Sequence, residues 1–132
     1  MAGQEPLRRP GSLNQAIADA VVRGHTRSLG RGPRRAIAFY HQNIVVVVLQ
    51  DTLTTGERSL AADGRQDAVR QLRRQYESLM RAELVDAVEE LTGCRVEALI
   101  GGSAVEPDVS AQLFILDRSV DGEPPLSQGP YP

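Results

Sequence analysis

The chain has 132 residues, enough for one domain with a buried core, and 41% of them are hydrophobic and 24% charged, as in globular proteins. Its 15 basic residues, all arginine, are outnumbered by 17 acidic residues, and the net charge of −2 argues against a nucleic-acid-binding protein. Cys94 is the only cysteine, so the chain has no disulfide framework of its own. We recognise neither a transmembrane segment of about 20 apolar residues nor a secretory signal, and we therefore expect a cytoplasmic protein.

The first helix is predicted by its capping signals. Residues 1–11 are rich in Gly and Pro, and we expect a disordered lead there. Ser12 and Gln15 have the spacing of a capping box, which marks a helix start. Apolar residues then recur at helical spacing until Gly30, a typical C-terminal cap.

Two β-hairpins are predicted from apolar runs bounded by turn residues. The first joins strands at 35–40 and 44–50 by a short turn, in which Asn43 tolerates a left-handed backbone. The second joins strands at 95–100 and 111–117 by a longer loop that contains Gly and Pro.

Between the hairpins, two further capping signals predict helical structure. Thr54 and Glu57 have the spacing to cap a short helical turn. Asp63 and Gln66 have the spacing to cap a long helix that ends near Gly93. Steps of three and four between apolar residues give this long helix one continuous apolar stripe.

The order α-β-β-α-β-β predicts an α+β fold. We expect a two-layer α/β sandwich in which a four-stranded, mainly antiparallel sheet has helices on one face. The single domain spans residues 12–117, and the acidic, Gly- and Pro-rich residues 118–132 are expected to be a disordered tail.

Two of the strands are apolar at consecutive positions, which predicts burial on both faces of the sheet. Because helices cover one face only, the other face needs a cover, and we expect a homodimer or higher oligomer. The alternative is that the connector between the hairpins and the tail cover this face. The predicted oligomer interface comprises Val45, Val47, Leu49, Tyr76, Phe114 and Leu116.

The long helix has a basic start and an acidic end, and two readings of this pattern remain open. Antiparallel pairing of two such helices would match opposite charges and support a dimer. The alternative is a solvated face with local ion pairs, such as Arg73–Glu77 and Glu77–Arg81.

An arginine-rich turn, residues 23–35, is the most distinctive local feature, with five arginines and one histidine. Arginine binds phosphate and carboxylate groups with two hydrogen bonds, and glycine exposes backbone N–H groups. The turn could therefore bind a small anion or nucleotide, an acidic membrane surface or an acidic partner. The alternative is a solvated helix end. The candidate binding residues are Arg27, Arg31, Gly32, Arg34 and Arg35.

Residues for catalysis or metal binding form no recognisable motif. His25, His41 and Cys94 lack the spacing of zinc ligands, and no nucleophile with an adjacent base can be assembled. We therefore expect no enzyme activity, no metal and no cofactor.

The order of several short motifs resembles that of the MpsC-like proteins over residues 12–117. The chain differs from the family pattern in having no lysine and in its loop at 101–110. The motifs that carry the resemblance are Gly30-Arg31-Gly32-Pro33, the apolar strand at 44–49, Leu53-Thr54 with Glu57 and Leu60, the charged segment at 69–74, the helix end at 84–93, and the strands at 96–99 and 113–116.

This resemblance implies a cytoplasmic accessory or regulatory protein. The family is associated with a sodium-translocating, membrane-potential-generating system and with inorganic carbon supply. A membrane protein is therefore a possible partner, although this chain is not expected to span the membrane itself. The family offers no agreed catalytic residues to carry over.

Overall fold

The computed structural model describes residues 10–122, and within them three helices and four strands follow one another. In chain order the elements are α1 (Pro10–Leu29), β1 (Arg35–His41), β2 (Ile44–Gln50), α2 (Thr55–Ala62), α3 (Gln66–Thr92), β3 (Val96–Ala104) and β4 (Val109–Leu116). The predicted order is confirmed, and α2 is the short helical turn predicted from Thr54 and Glu57.

The four strands form one antiparallel sheet in the order β1-β2-β4-β3, so β1 and β3 are its edges. The helix α1 packs on β1 and β2, α3 packs on β3, and the two helices pack on each other. Both long helices therefore lie on the same face, and the predicted α+β architecture is confirmed. We call the helix-covered face the inner face and the opposite one the outer face.

The alternation of side chains along the strands decides which residues enter the core. On β2, Val45, Val47 and Leu49 are fully buried, and on β4 Phe114 and Leu116 are buried to the same degree. These side chains point to the inner face. They pack against apolar side chains of the two long helices, namely Leu13, Ile17, Val21, Met80, Leu84 and Val88.

Both long helices begin differently from the prediction. The helix α1 begins at Pro10 rather than at Ser12, so the end of the predicted disordered lead is helical, and residues 1–9 lie outside the described part of the chain. The N-cap of α3 is Arg65, with no side-chain cap. The predicted cap Asp63 instead accepts a hydrogen bond from Arg65 Nε at 3.0 Å.

The turn between β1 and β2 places the left-handed residue one position earlier than predicted. Gln42 has a φ of 55°, whereas Asn43 is not among the residues with positive φ. Asn43 instead binds β4, because its carbonyl accepts from Leu116 N at 2.8 Å and its Nδ2 donates to the Leu116 carbonyl at 3.2 Å. The turn is thereby attached to the central strands.

The second hairpin has longer strands than predicted, since its ladder continues to the pair Ala104–Val109. The predicted tail at 118–132 begins in ordered chain. Val120 packs against the core, and its N–H donates to the Gln42 carbonyl at 3.1 Å. Residues 123–132 lie outside the described part.

Among the helices of residues 10–122, none has both the length and the apolar character that a membrane span requires.

Candidate interaction surfaces

A buried ion pair joins the helices to the loop after β2. The Arg73 side chain on α3 is 2% exposed, and its Nη2 and Nε donate to the two carboxylate oxygens of Glu57 at 2.7 and 2.9 Å. Nη2 also donates to the Thr52 carbonyl at 2.7 Å, and Nη1 lies 3.2 Å from Nε2 of His25 on α1. One guanidinium therefore binds α1, α2 and the β2–α2 loop at once.

The capping box at the start of α2 places the Glu57 carboxylate. The Thr54 hydroxyl accepts from Glu57 N at 3.2 Å, and Thr54 N donates to Glu57 Oε1 at 2.8 Å. This confirms the capping signal read from the sequence. The same carboxylate also accepts the hydrogen bonds of Arg73. A buried charge loses its solvation by water, and these hydrogen bonds offset that loss.

The third member of this buried cluster, His25, is neutral at neutral pH. The pKa of His25 is lowered to about 4, mainly by burial and also by the positive charge of Arg73, while the negative charge of Glu57 opposes both effects. A neutral imidazole has one nitrogen without a proton, so Nε2 can accept the N–H of Arg73. His25 therefore serves the buried network rather than the surface of the arginine-rich turn.

This network contradicts the suggested surface pair between Arg73 and Glu77. Arg73 is buried and turned toward Glu57, whereas Glu77 Oε2 accepts the hydroxyl hydrogen of Ser103 at 2.7 Å. Spacing along a helix shows which residues share a face, but not whether that face is solvated. No pattern in the sequence indicates the partner of Arg73 on α2, which is 16 residues away.

In the arginine-rich turn, two of the candidate binding residues bind other parts of the chain. Arg27 forms an ion pair with Glu83 of α3 at the surface. The Nη1 of Arg31 donates to the Leu53 carbonyl, and its Nη2 lies 3.9 Å from Asp51 Oδ2. Arg27 thus links α1 to α3, and Arg31 links the loop after α1 to the β2–α2 loop.

Gly32 provides space rather than a binding group. A Cβ at this position would lie 2.9 Å from Thr26 Oγ1, so a side chain would force a shift. Nearby, Gly30 has a φ of +82° and its N–H donates to the Thr26 carbonyl at 2.8 Å, as expected of a helix C-cap.

Arg34 and Arg35 are the two candidates with exposed and uncommitted guanidinium groups. Neither forms an ion pair or a side-chain hydrogen bond within residues 10–122. Both line an open cleft of about 450 Å³, together with Gln50, Asp51 and Asp108. This arginine pair is the part of the turn that is available to a partner.

The two acidic residues of the cleft are already engaged. The carboxylate of Asp108 accepts hydrogen bonds from Thr52 N, from the Thr52 hydroxyl and from Leu53 N, at 3.0 to 3.2 Å. Asp51 has a φ of 61° and forms an ion pair with Arg58. The positive charges of the arginine pair are therefore not neutralised by direct contact with these carboxylates.

The residues predicted for the oligomer interface lie on the wrong side of the sheet. Val45, Val47, Leu49, Phe114 and Leu116 are 0–1% exposed in the core beneath the helices. The sixth, Tyr76, is partly buried against the same core. This part of the interface prediction is wrong, because a strand that is apolar at consecutive positions does not reveal which set of side chains points to the helices.

The alternate positions of the same strands form the outer face, which is apolar and has no cover within the described chain. Ile37 and Phe39 on β1 are 51% and 48% exposed, and Ile100 on β3 is 63% exposed. The strand pairings place Val46 between Phe39 and Leu113, at the centre of this face. The apolar side chains of the outer face are Ile37, Phe39, Ile44, Val46, Val48, Ala98, Ile100, Val109, Ala111, Leu113 and Ile115.

The outer face has few polar residues, and those lie at its margin. Arg35 and Gln50 are paired with each other at one end of the β1–β2 hairpin, and His41 lies at the other end. The connector does not cover this face, since α2 packs against α3. A continuous apolar surface that spans all four strands of a sheet usually marks a binding site.

Possible metal ligands occur at separate places in the fold. His25 belongs to the buried network, His41 ends β1, and the buried thiol of Cys94 donates to the Thr92 carbonyl at 3.6 Å. Across residues 10–122, no group of three or more His, Cys, Asp and Glu residues is arranged to hold a metal ion.

Comparison with known proteins finds matches that cover most of the chain. A family model described as Na+-translocating membrane potential-generating system (MpsC) matches residues 9–118, which include every helix and strand described above. The chain is also similar to the uncharacterized protein YrhF of Bacillus subtilis strain 168, with 24% identity over 105 residues that cover 78% of this chain and 86% of YrhF. No solved structure matches the chain.

Replacing Arg73 with Met is expected to destabilise the protein by about 3–5 kcal/mol, because it leaves the Glu57 carboxylate buried without its counter-charge. The free energy of unfolding from urea titrations measures this loss. Arg74→Met is the matched control, since the neighbouring arginine is exposed, and its effect should stay within about 0.5 kcal/mol. Equal losses for the two variants would contradict a structural role of the buried pair.

The stability of the protein is expected to fall as the pH is lowered from 7 to 5. The pKa of His25 is about 4 in the folded chain and 6.5 in its usual state, so the unfolded chain binds the additional proton first. This stabilisation is complete above pH 6.5 and should decrease by about 2 kcal/mol at pH 5. Urea titrations of His25→Gln should show a smaller pH dependence than those of the parent or of His41→Gln. The same dependence in all three proteins would refute the assignment.

Proposed function

The chain belongs to the MpsC family, and on this premise we propose that it is a non-enzymatic, cytoplasmic accessory protein of a Na+-translocating, membrane-potential-generating system. It acts by contact with itself and with a partner. The observation that carries this proposal is the uncovered apolar outer face, which has the arginine pair Arg34 and Arg35 at one corner.

Self-association through the outer face is the first part of the proposal. Four strands about 4.8 Å apart, with outward positions over about 25 Å, give a flat footprint of roughly 500 Å². Because side chains protrude from the sheet, the accessible surface area exceeds this footprint and is nearer to the roughly 800 Å² per partner of a standard interface. Two sheets pack face to face when their inner surfaces are apolar, at a separation of about 10 Å.

A second copy of the chain is the occupant that fits this face best. None of the paired strand positions assigned to this face is acidic, the exposed Glu97 lies at the bulge of the edge strand β3, and the one arginine, Arg35, lies at the end of β1 rather than at the centre. Two copies can therefore meet without bringing like charges together in the middle of the interface. Exposed aromatic and branched residues such as Phe39 and Ile37 lose their contact with water on both copies at once.

Docking through the arginine pair is the second part of the proposal. Arg34 and Arg35 are exposed beside the outer face, while Arg27 and Arg31 are used within the fold. Guanidinium groups without an internal carboxylate partner favour an acidic partner surface. Because the family description names a membrane potential-generating system, we propose that the partner surface is an acidic, cytoplasmic part of a membrane protein.

A sensor of small anions or nucleotides is the alternative reading of the arginine-rich turn. A small anion in the cleft would lie close to Asp51 and Asp108 as well as to the arginines. The repulsion by two carboxylates reduces the gain from the guanidinium groups. A protein surface can approach Arg34 and Arg35 from outside without entering the cleft, and we therefore prefer the docking proposal.

Replacing Val46 with Glu is expected to convert the dimer into a monomer, because pairing the outer faces would bury two carboxylates without counter-charges. Size-exclusion chromatography with light scattering measures the mass. Leu79→Glu is the matched control, since Leu79 is 74% exposed on α3 and introduces the same charge outside the outer face. A parent protein that is monomeric at every concentration, or a control that dissociates equally, would refute the proposed interface. Circular dichroism verifies that both variants are folded.

The parent protein is expected to sediment with membranes from its source organism, and Arg34→Glu/Arg35→Glu should lose at least about 90% of this binding, since reversing two contacting charges costs several kcal/mol. The control Arg23→Glu/Arg95→Glu changes the net charge equally at exposed positions away from the cleft. Protease treatment of the membranes should abolish binding if the partner is a protein. Equal binding to protein-free vesicles of anionic lipid would refute a protein partner, and a parent protein that stays in the supernatant would refute the docking proposal.

A further inference from the structure

The free edge of β3 carries backbone hydrogen-bonding groups that face away from the sheet. The carbonyl of Leu99 accepts Arg81 Nη1 at 2.9 Å, so it points away from β4 and toward α3. A second bond gives the same alternation. Asp117 N donates to the Arg95 carbonyl at 2.8 Å, so the next pair, Val96 and Leu116, is a non-hydrogen-bonded pair. The backbone groups of Val96 therefore point away from β4, as those of Leu99 do.

This alternation continues along β3 beyond the bulge between Val96 and Ala98. Leu99, Gly101 and Ser103 therefore direct their N–H and C=O groups to the free edge. The Leu99 carbonyl is bound by Arg81, whereas the backbone groups of Gly101 and Ser103 have no partner within residues 10–122. Three consecutive residues, from Ile100 to Gly102, are exposed here, so the edge is open to an approaching chain.

A groove with a positive lining runs between this edge and α3. Two adjoining cavities, of about 170 and 450 Å³, share Arg74, Glu77 and Gly101 as lining residues. Arg70 lines the first and Arg81 lines the second. We call these five residues the β3 groove.

The charges of the β3 groove are not balanced within the fold. Arg74 forms no ion pair within the described chain, and Arg81 binds a neutral carbonyl. Arg70 has a partner in Asp67, whose side chain is fully exposed. Glu77 is the only acidic residue that lines either cavity. Arg73 also lines the smaller cavity but is paired with Glu57, so the two guanidinium groups without an ion pair, those of Arg74 and Arg81, face one carboxylate.

From these observations we propose that the β3 groove binds an extended acidic segment of a partner protein, which adds to β3 as a further strand. Backbone groups of the segment pair with Gly101 and Ser103, as in other complexes that extend a sheet. Carboxylates on one side of the segment meet Arg74 and Arg81, and apolar residues on its other side continue the outer face beside Ile100. The preferred segment therefore alternates acidic and apolar residues.

A second copy of β3 is a poorer occupant of the same edge. Pairing two copies through β3 would bring a second set of groove arginines to an edge that already carries Arg70, Arg74 and Arg81. Repulsion between like charges opposes this arrangement, whereas an acidic segment relieves it. The inference concerns the opposite edge of the sheet from Arg34 and Arg35, and does not depend on the proposed function.

Fluorescence anisotropy tests this inference with a labelled heptapeptide of alternating Glu and Val, added to the full chain. We expect saturable binding that weakens with salt, and no binding of the matched peptide with Lys in place of Glu. Arg74→Glu should weaken binding by about tenfold or more, because it removes a charge-assisted hydrogen bond and adds repulsion. Arg23→Glu is the control on an exposed part of α1 and should stay within about twofold.

Two peptides methylated at the backbone nitrogen, one at every Val and one at every Glu, test the pairing with β3. At least one of them should lose binding, since methylation removes the donors on one edge of the strand. Equal binding of both methylated peptides, or no binding of the unmodified peptide, would overturn the proposal. A change of oligomeric mass in Arg74→Glu without a change in peptide affinity would also overturn it, because a second copy would then occupy the edge.

Discussion

The guanidinium of Arg73 is the contact on which the arrangement of the helices depends. It binds Glu57 of α2 through both carboxylate oxygens, and it also meets His25 of α1 and the carbonyl of Thr52. The helix α2 packs mainly on α3, and the apolar cluster between them is small. The buried ion pair therefore holds α2 where packing alone contributes little.

The same contact extends to the surface through the loop after β2. Arg73 binds the carbonyl of Thr52, and Asp108 binds the N–H and hydroxyl of that residue from the β3–β4 turn. This fixes the loop from both sides, next to Asp51 with its left-handed backbone. The loop forms part of the cleft that Arg34 and Arg35 line. The position of the exposed arginines thus rests on an interaction in the interior.

Local signals in the sequence predicted the helices and strands well. Contacts between residues far apart in the chain could not be predicted from these signals. The capping box of Thr54 and Glu57 and the C-cap Gly30 depend on neighbours within a few residues, and both are confirmed. The partner of Arg73 depends on how α2 folds back onto α3, which no spacing along one helix reveals. The candidate site shows the same limit. The composition of the turn predicted a basic site that includes Arg34 and Arg35, but it could not show that these two are exposed whereas Arg31 binds the Leu53 carbonyl.

The outer face shows the same limit at the level of a strand. A run such as 44–49 predicts that both faces of β2 are apolar, and both are. It does not tell which alternate set meets the helices, because Val45 and Val46 are the same residue type. The choice is made by the register with β4 and by the side on which α1 and α3 pack, and these depend on the whole chain.

The strand order separates the three proposed surfaces. In the order β1-β2-β4-β3, the arginine pair lies at the β1 side and the β3 groove at the other edge, three strand spacings or about 14 Å away. Pairing two copies through the outer face would cover the flat side of the sheet, leave the β3 edge open and place Arg34 and Arg35 at the margin of the contact. Each dimer would then present two arginine pairs and two grooves to acidic partners. In this proposal, contacts with partner proteins are made at the sides of the sheet, and contacts with a second copy are made at its outer face. One small domain can therefore associate with itself and still bind other chains.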